Sequence, residues 1–66
     1  MEAKILNSLI QKSGLSQRDF AAKFDLPEQR VSGWLNGVRN IKMSTLKKMA
    51  EELGFEIVLS FEVRKS

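Results

Sequence analysis

The residues of this chain that could do chemistry fall in two short runs. Glu28, Gln29, Ser32, Gly33 and Asn36 would share one helical face, and Arg39, Asn40 and Lys42 follow in a polar segment. Carboxylate, amide, hydroxyl, guanidinium and ammonium groups at this spacing make hydrogen bonds and hold anions; they do not break bonds. The chain has no Cys and no His, hence no disulfide framework, no zinc site of the usual ligand types and no histidine general base. No nucleophile stands beside a base, no carboxylates pair on one expected face, and there is no glycine-rich phosphate loop. Ser32-Gly33 is not a nucleophile elbow, since it falls inside a helix and not on a strand-to-helix turn. The expectation is recognition without catalysis, metal or cofactor.

Such a face must be positioned by a partner helix. Ser16 to Gly37, SQRDFAAKFDLPEQRVSGWLNG, reads as two short helices joined by a tight turn, with core residues at Phe20, Ala21, Phe24, Leu26, Val31 and Trp34. An Ala within the first, a turn about four residues later and apolar residues on both flanks let two helices cross closely, because a small side chain sits at the crossing. The second of the pair, about Pro27 to Asn36, buries Val31 and Trp34, with Leu35 beside them. At about 100° per residue this turns Glu28, Gln29, Ser32, Gly33 and Asn36 outward. Gly33 is informative, since Gly inside a helix costs about 1 kcal/mol relative to Ala. Either something approaches that face closely or a weak position is simply tolerated.

The remaining segments hold this pair. Ile5, Leu6, Leu9 and Ile10 give residues 2–12 one apolar stripe, and Gly14 stops that helix. Ser16 caps the next, with Asp19 three residues on as a shortened capping box. After Asn36-Gly37 a loop runs from Val38 to Lys42, and a fourth helix from Ser44 to Leu53 carries Leu46, Met49, Ala50 and Leu53 on one side. Gly54 ends it. From Phe55 the period changes to two, with Phe55, Ile57, Leu59, Phe61 and Val63 on one face of a strand.

At 66 residues the chain is one small domain, with 1–54 helical and 55–66 a dimerisation strand; a domain of this size buries only about 60% of its unfolded surface. A lone strand leaves both backbone edges unpaired, so its partner is expected from a second copy, in a two-stranded antiparallel ribbon across a two-fold axis. An axis through Leu59 would oppose Glu56 and Glu62, one at Val58 would pair Phe55 with Phe61, and one at Ser60 pairs Glu56 with Arg64 and Ile57 with Val63; Ser60 is favoured, the alternative to a ribbon being a tail packed on the chain's own helices. The fold class is therefore mainly α: four helices plus one C-terminal strand that pairs between subunits. Net charge is +3, which permits binding to a polyanion without demanding it. Residues 1–10 include Glu2 and lack a continuous apolar run, so no export signal and no membrane partner are expected, and the location should be cytoplasmic.

LSQRDFAAKF, then VSGWLNG, then NIKMSTLKKMAEELG resembles the phage repressor and Cro-like (XRE-type) helix-turn-helix family over residues about 5 to 54. Two departures stand out: Asp25 replaces the usual turn Gly, and Pro27 takes the place of a polar cap. The resemblance implies a repressor-like helical fold and a homodimeric transcription regulator, a repressor, on a palindromic operator in double-stranded DNA. It makes Glu28, Gln29, Ser32 and Gly33 the base-reading positions. The side-chain types agree, since Gln can pair with adenine, Glu can accept from the cytosine amino group and Ser is permissive. Glu28 could equally serve only the helix N-terminus. Phosphate contacts would fall to Gln17, Arg30, Asn36, Arg39, Asn40 and Lys42, with Arg30 alternatively paired to Glu28 or Asp25. The chain is also similar to antitoxins of HipA-type kinase toxins, which would add a protein toxin as partner. A third reading is an interaction module without DNA binding.

Overall fold

The computed structural model describes residues 1–58, and over that span the chain forms α1 (Glu2–Ser13), α2 (Gln17–Lys23), α3 (Glu28–Leu35) and α4 (Met43–Leu53). Each boundary falls within one residue of the sequence expectation. The apolar periods decide this. Leu6, Leu9 and Ile10 line the buried side of α1, and Leu46, Met49 and Ala50 that of α4. Helix α1 packs on both α3 and α4, and α2 packs on α3. Phe20, Leu6, Leu46 and Val31 are fully enclosed where these helices meet. A side chain of this class contributes roughly 1.5–3 kcal/mol when fully buried. In a domain this small the loss of one is therefore a large share of the net stability.

Pro27 has extended backbone (φ −64°, ψ 138°) and stands in the cap position, as the sequence suggested, so the first helical residue of α3 is Glu28. Burial departs from the expectation at three residues placed in the core, since Phe24 and Leu26 are only half-buried. Trp34 is likewise half-buried, packed against the rim of the core. Helices α1 and α2, which both pack on α3, enclose Val31 but leave part of the larger Trp34 side chain uncovered.

Residues 55–58 form neither helix nor strand, and among the described residues no second strand lies beside them. Alternation is nonetheless present: Phe55 and Ile57 pack half-buried on the core, while Glu56 and Val58 are exposed. The apolar face of this segment thus turns onto the chain's own helices. The Phe55 N–H donates to the Ala50 carbonyl at 2.7 Å, and Gly54 to Glu51 at 3.1 Å, which closes α4 in a Schellman arrangement and sets the departure of the chain. Leu59, Phe61 and Val63, with the proposed axis at Ser60, lie outside the described residues.

Candidate nucleic-acid interface

The interface is built on α2. Ser16 is extended, and its Oγ accepts from the Asp19 N–H at 3.1 Å, so the expected cap is formed. Phe20 and Ala21 are the buried residues of α2, Ala21 at 1% exposure. At the far end the Leu26 N–H reaches back to the Ala21 carbonyl (2.9 Å) and Asp25 to Ala22 (3.1 Å). These two bonds form a second Schellman closure, and they require a left-handed residue at position 25. Asp25 adopts it, at φ 56°, and is the only non-Gly residue with positive φ among the described residues. The turn thereby sends the chain straight into α3.

Helix α3 spends its side chains unevenly. Val31 is fully buried, Trp34 and Leu35 are half-buried, and Glu28, Gln29 and Arg30 are exposed in the first turn. Negative charge at Glu28 suits the positive end of the helix, where no side chain caps the backbone. Ser32 and Gly33, expected to face fully outward, are half-buried. A long contact ties Ser32 to its neighbour one turn on, with Asn36 Nδ2 donating to Ser32 Oγ at 3.4 Å. What covers Gly33 is Arg39. A Cβ built at Gly33 would stand 3.3 Å from Arg39 Cδ, and the Arg39 N–H donates to the Gly33 carbonyl at 3.1 Å. The close approach suspected at this glycine is thus made within the chain.

The segment after α3 is held from below. Gly37 turns the chain with φ 78°, and Ile41 drops into the core at 6% exposure. Arg39, Asn40 and Lys42, on either side of Ile41, are exposed. The Lys42 carbonyl meanwhile accepts from Thr45 and Leu46 as α4 begins. Sequence reasoning missed Ile41, because one apolar residue among polar neighbours has no period; its only signal was being the sole large aliphatic residue between Arg39 and Lys42 that could anchor them.

Arg39 meets α3 again through its lining partners. With Pro27, Gln29 and Arg30 it surrounds a hollow of ≈ 150 Å³. Two guanidinium side chains and an amide therefore converge on one place, with no acid among the lining residues. The side-chain hydrogen bonds among the described residues are those of Ser13, Ser16 and the Ser32–Asn36 pair, and none engages Gln17, Gln29, Arg30, Arg39, Asn40 or Lys42. These groups remain available to an outside acceptor. Such a surface can hold anionic backbone and hydrogen-bond to an edge of acceptors, the two tasks of duplex recognition.

Residues 6–59 match a family model described as helix-turn-helix. Neither the curated proteins nor the solved structures contain a match to the chain.

Proposed function

From the premise that this chain belongs to the Cro/C1-type helix-turn-helix family of DNA-binding transcription regulators, we propose that it is a sequence-specific repressor acting as a homodimer on a palindromic operator. Helix α3 lies in the major groove in this reading. Gln29 and Glu28 present hydrogen-bonding groups to base edges, with Ser32 beside them and Gly33 beneath the Arg39 stem. Gln17, Arg30, Asn36, Asn40 and Lys42 hold phosphates. Half-sites are spaced by about 34 Å, one turn of the duplex. Such a protein works in the cytoplasm, at the nucleoid.

The observation that carries this reading is the division of α3. It buries Val31 where α3 packs on α1 and α2, and leaves an exposed first turn with unspent hydrogen-bonding groups. Titrating wild type, Gln29→Ala and Lys42→Ala on operator and scrambled duplexes tests it. Gln29→Ala should relax preference at one base pair by about 1–3 kcal/mol, whereas Lys42→Ala should weaken every sequence and lower the salt slope by about 1. Equal losses on both duplexes from both variants would sink the division of labour.

For the dimer, support comes from the continued alternation at Phe55, Glu56, Ile57 and Val58, with Val58 left 78% exposed. Leu59, Phe61 and Val63 would extend the face that Phe55 and Ile57 begin, and pair across the two-fold axis. Sedimentation equilibrium of the whole chain against one ending at Val58 checks this while keeping Phe55 and Ile57 on the core. A dimer that becomes a monomer is expected; equal masses would refute the ribbon.

A further inference from the structure

We propose that Arg39, seated on the bare backbone of Gly33, reads a guanine in the major groove beside Gln29 and so sets sequence preference; this rests on the reading of α3 as the groove helix. Positions 29 and 33 are one turn apart on the same face, so a side chain at 33 would meet base edges next to those met by Gln29. No side chain exists there. The space is taken by the stem of Arg39, whose Cδ, Cγ and Cβ lie 3.3, 3.5 and 3.9 Å from where a Cβ of residue 33 would stand. The backbone is fixed at the same place, through the Arg39 N–H on the Gly33 carbonyl at 3.1 Å.

The stem therefore lies across the helix, and Arg39 shares a hollow with Gln29, Arg30 and Pro27. A cation that only held phosphate would need no such seat. A planar fork held against the groove face matches the paired acceptors O6 and N7 of guanine, and the ammonium of Lys does not reproduce it. Gly33 in this account is a positioning residue: it acts by leaving room for Arg39.

The test is selection from a pool of duplexes with a randomised core, using the full chain as wild type, R39K and G33A. R39K keeps a stem and a charge at an exposed position, so its fold is not at issue. Wild type should enrich a motif containing a fixed guanine. R39K should lose preference for it by roughly 5- to 150-fold while keeping the other positions, and G33A, whose Cβ would stand 3.3 Å from Arg39 Cδ, should shift the same preference by less. Retained guanine preference in R39K would overturn the proposal. So would a loss spread evenly over all sequences with a salt slope lower by about 1, which is the behaviour of a phosphate contact. A wild type that enriches no motif would overturn the groove reading of α3, and this proposal with it.

Discussion

Helix α3 is fastened at both ends, and the two fastenings differ in kind. The turn before it, through Asp25, is held by backbone hydrogen bonds to Ala21 and Ala22, and it demands left-handed geometry of a residue with a side chain. The segment after it uses glycine at the left-handed position, Gly37, and then takes its rigidity from a buried side chain, Ile41, and from the seat of Arg39 on Gly33. One connection is fixed by main-chain geometry at some local strain, the other by burial. The groups offered outward follow the same division. The first connection leads directly into Glu28 and Gln29, while the second carries the exposed cations Arg39 and Lys42 on a buried anchor.

The largest effect should come from removing that anchor. Ile41 is buried at 6% exposure between exposed neighbours, and truncating such a residue to Ala typically costs about 2–5 kcal/mol. Ile41→Ala should lower the urea midpoint by the equivalent of roughly 2–4 kcal/mol with an unchanged m-value. It should also weaken duplex binding of all sequences at temperatures where the domain remains folded. A loss below about 1 kcal/mol would mean that the segment is held by its hydrogen bonds alone, and the contrast between the two connections would disappear.

Gly37→Ala is the next in size and isolates backbone strain. Nothing lies within 4 Å of a Cβ built there, yet φ is +78°, so crowding plays no part and the cost is that of left-handed geometry, about 1–2 kcal/mol. Thermal unfolding measures it. An unchanged melting temperature would show that the segment shifts freely to another conformation.

The four helices were legible because apolar periods, glycine stops and the Ser16 cap all point to the same boundaries. The interface was legible in composition but not in assembly. Glu28, Gln29 and Asn36 are exposed, as the helical period requires, while Ser32 and Gly33 on the same face are half-buried. The Arg39–Gly33 contact is different: it spans six residues and depends on a missing side chain. A mid-helix glycine announces that something comes near without naming it. Trp34 shows the complementary limit, since periodicity indicates a side and not a depth; the ring points inward yet stays half-exposed. Ile41 has no period at all, and only the path of the chain from α3 to α4 brings it to the core.

The smallest prediction concerns the other fastening and has the opposite sign. Asp25 holds φ 56° at the C-terminal end of α2, where it is exposed. Two terms oppose it there: left-handed geometry costs about 1–2 kcal/mol for an ordinary L-residue, less for Asp, and a carboxylate at the negative end of a helix costs about 0.3–1 kcal/mol. Glycine removes both but gives the unfolded chain more freedom, a loss of about 0.4–1 kcal/mol. Asp25→Gly should therefore stabilise the domain by roughly 0.5–1 kcal/mol. Asp25→Asn separates the terms, because it removes the charge and keeps the side chain, and should recover only the electrostatic part, fading as salt rises. If Asn gains as much as Gly, the turn carries no conformational strain and both ends of α3 are relaxed. If Gly gains more and the difference survives high salt, the strain sits before the helix, at the residue that aims Glu28 and Gln29.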